Sequence, residues 1–150
     1  MTLYTLLSKC MEIADEHEDV KYSETGHEWD ISAQSEKYMA VWFETPVLIS
    51  YIRSETKQYT LAMNVLQLCN DYNDYDDVLQ QTSDAERVGD DIIHALVDRL
   101  KAEKVMTAIT DVKAVTLRHF TTADLVGVRY DITFNAQSNY CSYPLKMNTP

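Results

Sequence analysis

The densest group of chemistry-bearing side chains lies between residues 71 and 77, where Asp71, Asn73, Asp74, Asp76 and Asp77 crowd hard oxygen donors together. Oxygen-rich loops bind calcium in the EF-hand manner when a glycine allows the turn at the sixth position and a glutamate closes the site at the twelfth. Counted from Asp71, those positions hold Asp76 and Thr82, so the segment reads as a solvated loop before a helix. His94 stands one helical turn from Asp90 and one from Asp98, a spacing that presents carboxylate, imidazole and carboxylate in a row. A zinc site there would need a further ligand from elsewhere, and neither HExxH nor paired cysteines occur. The stripe Arg87, Asp91, His94, Asp98, Lys101 reads instead as a mixed-charge exposed face.

His17 sits among Glu16, Glu18 and Asp19, and His27 near Glu28 and Asp30, so acid–base pairs can be assembled on paper. Helix-end charges and a surface turn account for both histidines. No Ser or Cys nucleophile occupies a strand-to-helix elbow, and no Gly-rich phosphate loop exists in a chain with three glycines. The expectation is a protein that is not an enzyme and carries no cofactor and no metal.

The elements that must position these groups follow from periodicity. Leu3, Leu6, Leu7, Cys10, Ile13 and Ala14 recur at amphipathic spacing and predict a helix from about Thr2 to His17. Ser23 to Gly26 reads as a turn, and His27 to Ile31 as a short edge strand. Tyr38 to Glu44 is rich in bulky β-formers and reads as a strand buried on both faces, with Pro46 ending it or bulging it. Trp42 and Phe43 are then core residues, one side of them covered by a helix. Val47 to Arg53 and Tyr59 to Leu68 predict an antiparallel hairpin with its turn at Ser54 to Lys57. Ser83 and Glu86 form a capping-box pattern, which predicts a helix from about Asp84 to Lys104. Val112 to Phe120 reads as a strand. From Val126 to Asn135, apolar and polar residues alternate strictly, as in an outer antiparallel strand pair.

With 150 residues and 45% hydrophobic composition, the chain suits one core. The expected fold is α+β, a mostly antiparallel sheet of four to five strands packed by two helices in the order α-β-β-β-α-β-β. Residues 1–135 form a single domain and residues 136–150 a C-terminal extension. The three cysteines, Cys10, Cys69 and Cys141, lack a CxxC spacing and fit synthesis in a reducing cytosol. Neither a signal peptide nor a membrane span is expected.

The net charge of −11 is uneven. Residues 1–40 hold three basic side chains against nine acidic, and residues 70–103 three against ten, whereas residues 104–150 hold five basic against three acidic. Such asymmetry disfavours nucleic-acid binding, which draws on Lys and Arg neutralising phosphates. It lets like subunits meet acidic face to basic face. Tyr72, Tyr75, Tyr140 and Tyr143 fall in segments read as irregular, where tyrosines are favoured at subunit contacts.

From the first helix to Phe134 the order of elements resembles the small tail-completion or tail-terminator proteins of tailed bacteriophages. The segments LQQTSDAERVGDDIIHAL and TADLVGVRYDITF carry most of the likeness. The resemblance implies a virion structural protein, made in the host bacterial cytoplasm. It would form a homo-oligomeric ring, commonly a hexamer, that caps the tail tube and meets the neck or connector proteins in head-tail joining. It implies no catalytic residue, no membrane and no direct sequence-specific nucleic acid. On this reading the expected subunit-interface residues are Tyr72, Tyr75, Asp76, Tyr140 and Tyr143. Two rivals stand beside it: an acidic phage-encoded inhibitor or DNA-mimic interaction protein, with carboxylates spread along an elongated monomer, and a small enzyme with an acid–base histidine.

Overall fold

The structure is a computed structural model that describes residues 2–27, 38–53, 56–69, 73–102, 108–120 and 125–137. Its elements run α1 (Leu3–Asp15), β1 (Tyr22–Gly26), β2 (Ala40–Glu44), β3 (Leu48–Arg53), β4 (Thr56–Leu68), α2 (Tyr75–Ala102), β5 (Ala108–Phe120) and β6 (Leu125–Gln137). The fold is α+β, with a mostly antiparallel sheet of six strands where four to five were expected. The strand order is β1-β2-β4-β6-β5, and β3 pairs with β4.

β4 and β6, thirteen residues each, pair along their whole length and form the spine of the sheet. The strict alternation of β6 is as read, with Val126, Val128, Tyr130, Ile132 and Phe134 all buried. With β5 it makes the expected outer antiparallel pair of the sheet, β5 at the edge and β6 between β5 and β4.

β2 and β3 lie end to end along one side of β4, against Met63–Leu66 and Thr56–Thr60 respectively. A cis Thr45–Pro46 bond lies between them, and Pro46 does end the first strand. The expected turn at 54–57 is shortened, because Thr56 and Lys57 already pair with Arg53 and Tyr51. β2 is buried on both faces. Val41 and Phe43 join the core beneath the helices, whereas Ala40 and Trp42 pack with Tyr38, Leu66 and Leu125 on the opposite face.

The segment 22–26, expected to turn, is instead β1, a strand parallel to β2 with Tyr22 opposite Ala40 and Gly26 opposite Glu44. Its polar residues are used locally. The Ser23 hydroxyl donates to Asp15 Oδ1 at 2.7 Å and the Thr25 hydroxyl to the Phe43 carbonyl at 3.0 Å. Gly26 ends the strand at φ 156°, a region open to glycine. Its carbonyl accepts both the Trp42 indole N–H at 3.0 Å and the Thr45 N–H at 2.9 Å. Of the expected strand at 27–31, His27 is irregular and the rest lies outside the described residues.

Both helices cover the same face of the sheet. α1 is capped by Thr2, whose hydroxyl accepts the Thr5 N–H at 3.2 Å, and buries Leu6, Leu7, Cys10, Ile13 and Ala14. α2 buries Val78, Ala85, Val88, Gly89, Ile92, Leu96 and Leu100. It begins at Tyr75, nine residues before the expected start, so the capping box at Ser83 is overturned. Asp74 takes the capping role instead, its Oδ1 accepting the N–H groups of Asp76 at 3.1 Å and Asp77 at 3.4 Å. The Asn/Asp-rich composition read as loop is also the composition a helix N-terminus favours, because carboxylates complement its positive end. Further in, the Thr82 hydroxyl donates to the Val78 carbonyl at 2.7 Å, which satisfies it inside the helix. Asp74→Ala is expected to cost about 1 kcal/mol by urea denaturation, with exchange protection lost first at residues 75–78.

Candidate functional site

The groups singled out for chemistry do not converge. Asp71 and Tyr72 lie outside the described residues; Asp74 caps α2, and the Asp77 carboxylate accepts the Cys69 thiol at 3.4 Å. Asp90 faces the sheet, where its Oδ1 lies 3.2 Å from the Tyr130 hydroxyl, which also donates to the Glu86 carbonyl at 3.0 Å. Burial first, then the Asp90 carboxylate, pushes the Tyr130 phenol above its ordinary pKa. His94 and Asp98 are exposed on α2. Among the described residues no group of three or more His, Cys, Asp or Glu side chains is placed to hold a metal ion.

The stripe read as a mixed-charge exposed face has a structural use. Arg87 bonds Asp19 at 2.9 Å, Asp91 bonds His17 Nε2 at 2.9 Å, and Arg99 bonds Glu16. These three contacts fasten the C-terminal end of α1 and the turn after it to α2. Arg87 and Asp19 are exposed and their pair is individually weak, whereas the His17 side chain is 13% exposed. Arg99 also holds the Glu16 carboxyl below its usual pKa. A cleft of about 230 Å³ opens beside them, lined by Asp19, Lys21, Tyr38, Met39, Gln67, Asp84 and Arg87. Its acids and bases match in number and one pair is already bonded, so it carries no excess charge toward a ligand.

Sequence reasoning missed a polar cluster on the face of the sheet opposite α1 and α2. Asn64 is fully buried; its Nδ2 donates to Glu44 Oε1 at 2.9 Å, and Arg129 Nη1 donates to the same oxygen at 3.0 Å. Arg129 Nε reaches Asp131 Oδ1 at 3.3 Å. Among the described residues Asn64 Oδ1 has no partner. The cluster is assembled by register, since Asn64 lies opposite both Trp42 and Arg129, and such pairing across distant strands leaves no mark in local sequence.

Cys10 is an inert core thiol. Burial pushes its pKa from 9.0 up to about 12, so the native state keeps a proton that the unfolded chain releases at lower pH. Its contribution to stability is complete below pH 9 and lost as pH rises toward 12. Alkylation with iodoacetamide at neutral to mildly basic pH, mapped by mass spectrometry, is expected to spare Cys10 until denaturant is added.

Of the expected contact residues, Tyr72, Tyr140 and Tyr143 lie outside the described residues, while Tyr75 and Asp76 occupy the exposed first turn of α2. The exposed apolar surface lies chiefly elsewhere, on two sheet edges. On β3, Leu48, Tyr51 and Ile52 are 62%, 66% and 51% exposed, with the Lys57 ammonium 5.7 Å from the Tyr51 ring centre. On β5, residues 110–116 are exposed on both faces, including Val112 at 39% and Val115 at 55%. A signal was available for β5: Thr-Asp-Val-Lys-Ala-Val-Thr has β-formers without an apolar face on either side.

No model of a known protein family matches this chain, and no curated protein matches it. Among the described residues no helix is long and apolar enough to cross a membrane.

Proposed function

We propose that this protein is a ring-forming assembly protein, the tail terminator of a tailed bacteriophage, whose ring stops growth of the tail tube and serves as the platform for the neck. The carrying observation is that one chain exposes apolar side chains on two different strands at opposite sides of the same sheet, Leu48, Tyr51 and Ile52 on β3 and Val112 and Val115 on β5. Two unlike patches favour head-to-tail association, which closes into a ring when the rotation allows. The resemblance of the element order and of the segments 79–96 and 122–134 to tail terminators names the kind of ring. Its work is assembly, and Tyr75 and Asp76, exposed in the first turn of α2, are proposed as contacts.

The acidic-inhibitor reading calls for carboxylates presented outward. Here Glu16, Asp19 and Asp91 pair with Arg99, Arg87 and His17 of the same chain, which leaves less uncompensated negative charge on that face. That engagement favours the ring. Negative-stain imaging of the purified protein is expected to reveal closed annular particles of uniform size with a central hole; isolated elongated monomers would favour the inhibitor instead.

A further inference from the structure

We infer that two copies of this chain join edge to edge through β5, the two strands running antiparallel about a two-fold axis at Val112. The contact uses residues 110–114 and goes beyond the ring reading without resting on it, since it leaves β3 and Val115 for head-to-tail joining. Among the described residues β5 lies at the end of the strand order and pairs only with β6, and residues 110–116 are exposed on both faces. Its outer edge therefore presents a row of backbone N–H and C=O groups as a template for one more strand.

The side chains single out a second β5 as that strand. Asp111, Lys113 and Val115 lie opposite Thr133, Asp131 and Arg129 of β6 and share one face of the sheet. Val112 and Ala114, opposite Ile132 and Tyr130, share the face that carries the helices. Asp111 and Lys113 already attract each other along the strand, with Lys113 Nζ 3.7 Å from Asp111 Oδ2. A two-fold axis perpendicular to the sheet sets β5 against β5 antiparallel, and residues directly opposite each other then point to the same face. With the axis at Val112, Asp111 of each copy faces Lys113 of the other, and Val112 faces its own counterpart. Four charges of alternating sign meet on one face and two valines on the other.

The neighbouring registers are worse. Moving the axis by one residue sets Lys113 against Lys113 or Asp111 against Asp111, and like charges directly opposite are destabilising. Moving it to Ala114 sets Lys113 against Val115 and Asp111 against Leu117, which leaves each charge facing an apolar side chain. A lysine in an edge strand commonly discourages pairing, but here Asp111 of the other copy compensates it. The irregularity at Thr110, where the register between β5 and β6 shifts, comes opposite Ala114, whose small side chain leaves room for the extra residue. Self-complementary charge of this kind favours a second copy over an unrelated strand.

The test compares the solution mass of the full chain with that of Asp111→Lys, Lys113→Asp and the swap Asp111→Lys/Lys113→Asp. Each single variant is expected to have half the mass of the wild type, with an unchanged far-UV circular dichroism spectrum. Where rings form as well, the contact pairs them, so its loss halves the mass in either case. The swap is expected to regain the wild-type mass, because residues 111 and 113 exchange places across the axis. An equimolar mixture of the two single variants is expected to regain it too, the two lysines of one copy facing the two aspartates of the other. If the wild type assembles and both single variants keep its mass, the contact is overturned and the ring reading survives. If the single variants lose mass and neither the swap nor the mixture restores it, β5 meets a different surface and the two-fold pair is overturned. A wild type that stops at two chains supports the contact and removes the ring. A wild type of one chain at every concentration removes both.

Discussion

Gly127→Ala is expected to destabilise the fold by about 3–5 kcal/mol, enough to leave much of the chain unfolded at 37 °C. Gly127 lies in β6 opposite Leu66 of β4 and Leu117 of β5. A Cβ built there overlaps the Val65 carbonyl oxygen and crowds the backbone of Val65 and Leu66. The obstruction is backbone in the longest ladder of the sheet, so it cannot be relieved by a side-chain rotation. Relief requires β4 and β6 to separate where both are buried, which costs packing and hydrogen bonds together. Chemical denaturation gives the number directly. At Gly89, by contrast, the added Cβ meets the Tyr130 ring, a side chain that can shift at the expense of its bonds to Glu86 and Asp90.

Arg129→Met is expected to cost about 3 kcal/mol, because removing one member of a largely buried pair leaves the other charge uncompensated. Glu44 would keep only the Asn64 amide. Its side chain is 14% exposed against 31% for Arg129, so water reaches the arginine more readily than the carboxylate left behind. Glu44→Gln in the same chain is expected to recover a large part of the loss, since an amide is far less costly to bury than a carboxylate. A double-mutant cycle by urea denaturation measures that recovery; additive losses would show that Glu44 and Arg129 act independently.

Much of the architecture was legible because it follows from local pattern. The stripe from Leu3 to Ala14, the doubly buried run at residues 40–43 and the alternation from Val126 to Phe134 each carry their periodicity on their face. Other features were hidden by ambiguity of composition. The Asp-rich stretch before Val78 serves a helix N-terminus as well as a loop, and Ser83, so placed as to suggest a cap, lies inside α2. β1 has no apolar alternation because it is a short edge strand under α1, held by Ser23 and Thr25. Position within the sheet was the least legible property. Nothing in β5 and β6 separately tells which is central, and the Glu44–Asn64–Arg129 cluster exists only once three strands are in register. Of the candidate contacts, Tyr75 and Asp76 were in reach of sequence, whereas the β3 and β5 edges became visible only with the strand order.

The most direct test of the account is the mass of the purified protein by light scattering across protein concentration and salt. The account predicts a plateau at a fixed multiple of the 17.3 kDa chain, with dissociation favoured by high salt because acidic and basic segments of unlike charge attract between copies. A mass of one chain at every concentration and salt would contradict it.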